Sequence, residues 1–185
     1  MKNNIYFVSD THWDDERFDI MQRPFFKNID EQIDHIKTKW NQTIPQNSIV
    51  YYLGDMFVHD FDGDLLNSLN GHKILVKGNY DTLTDEEYSP YFTKIEDSVL
   101  LKVITRDEEL ILYLNHYPEK GKKEYFNIVG HIHSTWKIQR NMINVGVDAW
   151  HFYPVSLKEI LFNINAIKKY YDINVFAGEL EVNKK

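Results

Sequence analysis

Short apolar runs along the chain alternate with segments in which apolar residues recur at helical spacing. The predicted helices cover residues 28–40, 61–70 and 156–170. A capping-box pattern, with glutamate three positions after the cap residue, opens the first at Asn28 and the last at Ser156. The predicted strands cover residues 5–10, 49–54, 73–78, 99–105, 109–114, 126–131 and 142–147.

The order of these elements predicts the architecture. Strands first alternate with helices and then, over residues 99–114, follow the pattern of an antiparallel hairpin, which favours an α/β domain with a mixed sheet or two packed sheets. A length of 185 residues fits one domain with a full core, so residues 1–185 are interpreted as a single domain. The segment 172–185 remains open between a tail used for self-association and an extra strand.

The composition narrows the possible functions. The chain has no cysteine, so any metal must be held by nitrogen and oxygen ligands. A net charge of -7 argues against an extended nucleic-acid surface, but it allows a small anionic substrate drawn to a local positive centre. The first apolar run is too short for a signal peptide, and no stretch approaches a membrane span. We therefore expect a cytoplasmic protein without a membrane partner.

Candidate metal ligands follow five of the predicted strands. Each strand ends on carboxylate, amide or imidazole side chains, and in open α/β sheets such ends are where loops converge into sites. The spacing of two between Asp10 and His12, and between His131 and His133, predicts that each pair points to one side of an extended chain. In chain order the candidates are Asp10, His12, Asp55, Asn79, His116, His131 and His133.

In this order, and over about residues 5–160, the candidates resemble the signature of the calcineurin-like metallophosphoesterase superfamily. SDTH, RPF, VYYLGD, NHYP and NVGVDAW leading into PVSLKEI are similar to its small bacterial and phage branch. The resemblance implies two packed mixed β-sheets flanked by helices, and two divalent metal ions. It assigns Asp10, His12 and His133 to one ion, Asn79, His116 and His131 to the other, and Asp55 to both.

Four imidazoles and three oxygen ligands favour transition metals over Ca²⁺. We place Mn²⁺ first, with Fe, Zn²⁺, Co²⁺ and Ni²⁺ as alternatives. Two divalent ions combined with the carboxylates of Asp10 and Asp55 leave a positive site that attracts a phosphate ester. Paired ions of this kind activate water and stabilise charge on the phosphoryl oxygens during in-line displacement.

Tyr80 departs from the family pattern, which commonly has a histidine at this position. In relatives that histidine neutralises the phosphate or protonates the leaving group, oriented by the following aspartate, here Asp81. A phenol donates a hydrogen bond but cannot become cationic, so Tyr80 either replaces part of that function beside Asn79 or only packs over the loop. A second departure is Asp15, which stands where the related branch often has another histidine and which adds negative charge if its loop points inward.

Other polar side chains are weaker candidates. Arg17 and Arg23 could contact phosphate, although solvated or structural roles are favoured for both. We expect Asp148 and Trp150 to organise the loop after the last strand, and His59 to be a solvated loop residue.

The sequence therefore predicts a metal-dependent hydrolase, a metallophosphoesterase in which metal-activated hydroxide attacks a small phosphorylated substrate. Phosphodiesters are placed ahead of monoesters, because a monoester with a poor leaving group most needs the missing histidine. The alternatives are a phosphomonoesterase or nucleotide phosphatase, a catalytically silent metal-binding interaction module, and a nucleotide-binding module without metal. The last has little support, because no strand-to-helix turn carries a Walker or Gly-x-Gly-x-x-Gly loop. The physiological ester and the oligomeric state are left open.

Overall fold

The structure, a computed structural model, describes residues 4–105 and 108–171. The strands are β1 (Ile5–Val8), β2 (Ile49–Tyr52), β3 (His72–Val76), β4 (Lys94–Glu96), β5 (Val99–Ile104), β6 (Glu109–Leu114), β7 (Phe126–Val129), β8 (Ile138–Gln139), β9 (Met142–Asn144) and β10 (Val155–Ser156). The helices are α1 (Ile29–Thr43), α2 (Gly63–Asn67), α3 (Asp85–Tyr88) and α4 (Leu157–Tyr170). The predicted tail or extra strand at 172–185 lies outside the described residues.

The strands form two five-stranded sheets, and both sheets are mixed. The first has the order β10-β1-β2-β3-β4, in which β1 to β4 are parallel and only β10 is antiparallel to its neighbour. The second has the order β5-β6-β7-β9-β8, with antiparallel pairs at both edges and parallel pairs in the middle. This arrangement confirms the predicted α/β class with two mixed sheets, and β5 with β6 form the predicted antiparallel pair.

Alternating side chains of β2 show how the layers are joined. Val50 and Tyr52 point into an apolar cluster that packs the first sheet against α1 and α2. Tyr51 and Leu53 point the opposite way, into a cluster shared with side chains of β6 and β7 from the second sheet. The two sheets therefore pack face to face, with helices covering the outer face of the first sheet.

The helix boundaries follow local capping. The N-cap of α1 is Asn28, whose side chain accepts from the Glu31 N–H at 2.9 Å. The predicted capping box is incomplete, because the Glu31 carboxylate accepts from the Lys27 N–H rather than from that of Asn28. The capping box at Ser156 is complete. Helix α2 is shorter than predicted: Asp62 is its N-cap and Ser68 is its C-cap. The short elements β4, β8, β10 and α3 were not predicted, since two to four residues are too few to show a periodicity.

Within residues 4–105 and 108–171, none of the helices combines the length and apolar character that a membrane crossing requires.

Candidate metal centre

The predicted ligands lie in the loops that leave the carboxyl ends of β1, β2, β3, β6 and β7. Backbone hydrogen bonds tie these loops together. The N–H of Asp10 donates to Gly54 O at 3.0 Å, and the N–H of His12 donates to Asp55 O at 3.2 Å. The loops after β6 and β7 are joined in the same way. The strand ends therefore converge at one edge of the molecule, as the sequence predicted.

The first cluster consists of Asp10, His12 and His133. One possible ligand atom from each residue lies within 4.8 Å of the other two. The rings of His12 and His133 stack with their centroids 5.0 Å apart. His133 Nδ1 donates to the Asp148 carboxylate at 2.9 Å, which leaves Nε2 available as a ligand.

The second cluster consists of Asp55, His116 and His131, again with ligand atoms within 4.8 Å of one another. Asp55 Oδ2 lies 3.2 Å from His116 Nε2 and 3.8 Å from Nε2 of His12 in the first cluster. His116 Nδ1 donates to Leu53 O at 2.6 Å, which turns Nε2 toward Asp55. Asp55 therefore lies between the two clusters, at the position where a shared ligand would have to be.

Five of the predicted ligands have a left-handed backbone. The φ angles are 57° for Asp10, 44° for His12, 56° for Asp55, 74° for His131 and 48° for His133. Residues other than glycine seldom adopt this conformation, which costs about 1–3 kcal/mol each and persists only where surrounding contacts hold it. The prediction of an extended chain through each pair of ligands is therefore wrong. Left-handed residues interrupt the extended chain in both pairs. His131 and His133 contribute to different clusters, whereas Asp10 and His12 share one.

Burial disfavours the charged forms of Asp10 and His12 in the first cluster. Burial raises the pKa of Asp10 to about 6 and lowers the pKa of His12 to about 4. Burial also opposes the charged form of His116, but the neighbouring carboxylates of Asp55 and Asp10 outweigh it and raise its pKa to about 9. Within the described part of the chain, neither ring nitrogen of His12 has a hydrogen-bond partner. A divalent cation would supply that partner and offset the carboxylates, so the nitrogen and oxygen donors present fit a metal-binding role.

The turn KGNYD brings the loop after β3 against Asp55. The buried carboxylate of Asp81 accepts from the N–H groups of Gly78 at 2.8 Å and Asp55 at 2.9 Å. Asp81 therefore joins the loops after β2 and β3 and does not orient the side chain of Tyr80. A Cβ at Gly78 would lie 2.3 Å from Asp55 Oδ1, which means that only glycine allows this approach. Asn79 is exposed between Gly78 and Tyr80, and the Tyr80 N–H donates to Asp55 Oδ1 at 3.0 Å.

The two departures from the family pattern lie close to the clusters. Tyr80 is 37% exposed, and its ring meets the His12 ring edge-on, with centroids 5.2 Å apart and an interplanar angle of 84°. Asp15 does not leave an unpaired negative charge at the mouth of the site, because its buried carboxylate is paired with Arg17 at 2.7 Å.

Arg23 and Asp148 form a buried support behind the first cluster. Arg23 has the structural role that the sequence favoured: it donates to Asp148 at 2.6 and 3.0 Å and to the carbonyls of Asp10 and Thr11 at 2.8 Å each. Asp148 accepts from both Arg23 and His133, so it orients a candidate ligand instead of only organising the loop after β9. Sequence reasoning missed this contact, since 125 residues separate Arg23 from Asp148 and no local pattern joins them.

Trp150 does organise that loop, because its Nε1 donates to Asn144 O at 2.7 Å. His59 is exposed in the loop after β2, as the sequence analysis favoured.

Fold and clusters together define an α/β protein with two groups of side chains that could hold metal ions. No family model matches the chain. The sequence is 28% identical over 180 residues to the uncharacterized protein MJ1445 of Methanocaldococcus jannaschii, covering 92% of this chain and 96% of that protein. The structure is similar to the crystal structure of AQ665, a protein of unknown function from Aquifex aeolicus, with a TM-score of 0.65 and 25% identity. That match covers 88% of this chain and 100% of the other.

Proposed function

We propose that the protein is a dinuclear metal-dependent phosphoesterase of the calcineurin-like metallophosphoesterase superfamily, which hydrolyses phosphodiesters ahead of phosphomonoesters. The observation that carries the proposal is the pair of Asp/His clusters that meet at Asp55. Two packed mixed sheets, with these side chains at the carboxyl ends of their strands, support the same assignment.

The proposed ligands of one ion are Asp10, His12 and His133, those of the other are Asn79, His116 and His131, and Asp55 is shared. Mn²⁺ is proposed first, with Fe, Zn²⁺, Co²⁺ and Ni²⁺ as alternatives. Bound there, the ions would supply an activated water nucleophile and positive charge for the phosphoryl oxygens.

The protein's own groups orient these ligands and bind the substrate. Leu53 O accepts the Nδ1 proton of His116, and Asp148 accepts that of His133, so both rings present Nε2 to the site. Tyr80 can donate one neutral hydrogen bond to a phosphoryl or leaving-group oxygen. Because a phenol cannot become cationic and protonate a poor leaving group as an imidazolium does, we propose diesters and activated substrates first.

Metal analysis coupled to a substrate panel tests the proposal. Protein stripped with a chelator and reloaded with Mn²⁺ should bind two equivalents per chain and hydrolyse a chromogenic diester faster than the monoester with the same leaving group. Chelator should abolish hydrolysis and Mn²⁺ should restore it. His12→Ala should lose metal and turnover, whereas His59→Ala, which changes an exposed histidine outside both clusters, should retain them. Undiminished hydrolysis in chelator, or no metal uptake at saturating Mn²⁺, would refute the proposal.

A further inference from the structure

A cavity of about 370 Å³ lies beside the first cluster. Its volume falls within the roughly 300–1,000 Å³ that small-molecule sites occupy. One lining residue is Asp148, whose carboxylate accepts from the ring of His133 at 2.9 Å, and another is Ser134, which follows His133 in the chain. A single hydrogen bond therefore separates the wall of this cavity from a candidate metal ligand.

The backbone conformation singles out the same cavity. Within residues 4–105 and 108–171, eight residues other than glycine have a left-handed backbone, and five of them are the candidate ligands described above. The other three all line this cavity: Gln22 with a φ of 58°, His151 with 53° and Phe152 with 66°. Such strain persists only where surrounding contacts impose it, and it is concentrated at functional sites. The left-handed residues therefore indicate a function for the cavity as well as for the metal centre.

Aromatic rings form much of the cavity wall. The lining includes Phe25, Phe152 and Tyr153, of which Phe25 is 56% and Tyr153 42% exposed. The rings of Phe25 and Phe152 meet edge to face, with centroids 5.7 Å apart. Phe152 also packs against the guanidinium of the buried Arg23, 5.5 Å from its ring centroid, so the wall is attached to the support of the first cluster. The two accessible rings can offer their faces to a flat ligand.

Hydrogen-bonding groups accompany these rings. Lys39 Nζ lies 4.2 Å from the centroid of the Tyr153 ring, and it donates to the Tyr153 hydroxyl rather than to a carboxylate. The Ser134 hydroxyl donates to Gln22 Oε1 at 2.6 Å, which leaves the Gln22 amide N–H groups for a ligand. An alkyl group in the cavity would offer these donors no acceptor, whereas the edge of a nucleobase carries carbonyl and ring-nitrogen acceptors. The lining therefore fits a flat heterocycle better than an aliphatic group.

We infer that this cavity binds the nucleobase of a nucleotide ester whose phosphate lies at the metal centre. The inference rests on the proposed function and names the substrate class for it. Phe25 and Tyr153 stack on the base, and Lys39 with Gln22 donates to acceptors at its edge. Stacking on aromatic side chains tolerates any base, because every base has a π face. The cavity thus separates nucleotides from esters that lack a base, more than it separates one base from another.

Binding of nucleoside monophosphates to the Mn²⁺-loaded protein tests the inference without relying on turnover. Isothermal titration calorimetry would give the Kd values of AMP, GMP, CMP and UMP, and of ribose 5-phosphate, which carries the sugar and phosphate but no base. The nucleotides should bind at least about fivefold more tightly than ribose 5-phosphate, the lower limit for stacking one base on an aromatic side chain. Elemental analysis would give the metal content of each protein.

Two variants locate the base. Phe25→Leu and Tyr153→Leu each keep an apolar side chain at a partly exposed position but remove the ring. Each should weaken nucleotide binding about fivefold and leave the metal content and the ribose 5-phosphate Kd unchanged. Phe162→Leu makes the same change at a phenylalanine of α4 that is 71% exposed and does not line the cavity, and it should match the wild type.

Equal Kd values for the nucleotides and ribose 5-phosphate in the metal-loaded wild type would overturn the inference, while metal uptake and diester hydrolysis would leave the proposed function standing. Nucleotide binding that stays equally tight in both Phe25→Leu and Tyr153→Leu would place the base elsewhere, which overturns the inference as well. Loss of metal or of the fold in both variants would assign the two rings a structural role, with the same consequence. Failure of the wild type to bind metal would overturn the proposed function together with the inference.

Discussion

Replacing Arg23 with methionine is expected to destabilise the metal-free protein by about 3–5 kcal/mol. Arg23 is fully buried and donates to Asp148, to Gln32 and to the carbonyls of Asp10 and Thr11. Methionine fills much of the same volume but donates nothing, so the Asp148 carboxylate, 4% exposed, keeps its charge after losing its arginine partner. At about 2–4 °C per kcal/mol for a chain of this size, Tm should fall by about 6–20 °C.

Urea unfolding of chelator-treated protein, followed by tryptophan fluorescence and circular dichroism, would give the free energy of unfolding. Lys123→Met, which removes an exposed cation outside both clusters, is the control and should stay within about 0.5 kcal/mol of the wild type. The double variant Arg23→Met/Asp148→Leu also removes the Asp148 carboxylate. Its decrease in the free energy of unfolding should therefore be smaller than the sum of the decreases in the two single variants. The reasoning is refuted if Arg23→Met costs no more than the control, or if the effects of Arg23 and Asp148 simply add.

Two other predictions concern the proposed activity. Asp55→Ala should lose bound metal and nearly all turnover, because Asp55 contacts both clusters, whereas Asp60→Ala, at an exposed position of the same loop, should lose neither. Full occupancy by two ions in the Asp55 variant would rule out a shared ligand. Tyr80→Phe should lower diester turnover about tenfold at unchanged metal content, less than the roughly 10²–10³ typical of a donor in a dry site, because Tyr80 is partly exposed. Equal diester turnover by the wild type and Tyr80→Phe would show that Tyr80 only packs over the loop.

The local parts of the fold could be predicted because local interactions determine them. The continuous apolar run of β2 is visible in the sequence and predicts a strand buried on both faces, and in the structure its side chains alternate between two apolar clusters. The capping box at Ser156 involves residues three positions apart, so it too could be identified without a structure. The candidate site was found for a related reason: polar ligand types follow apolar runs, and parallel strands bring their carboxyl ends to one edge.

The sequence by itself thus determined the class of fold, the order of its main elements and six of the residues that meet in the two clusters, whereas Asn79 as a ligand stays a prediction. The tertiary structure decided how these residues are divided and oriented. His131 and His133 belong to different clusters whereas Asp10 and His12 share one, although the spacing is two in both pairs and all four residues have a left-handed backbone, so the loop contacts and not the spacing assign each side chain to its cluster. Asp148 orients His133 and pairs with Arg23. Such contacts join segments far apart in the chain, and no local periodicity encodes them, so only packing of the folded loops selects these partners.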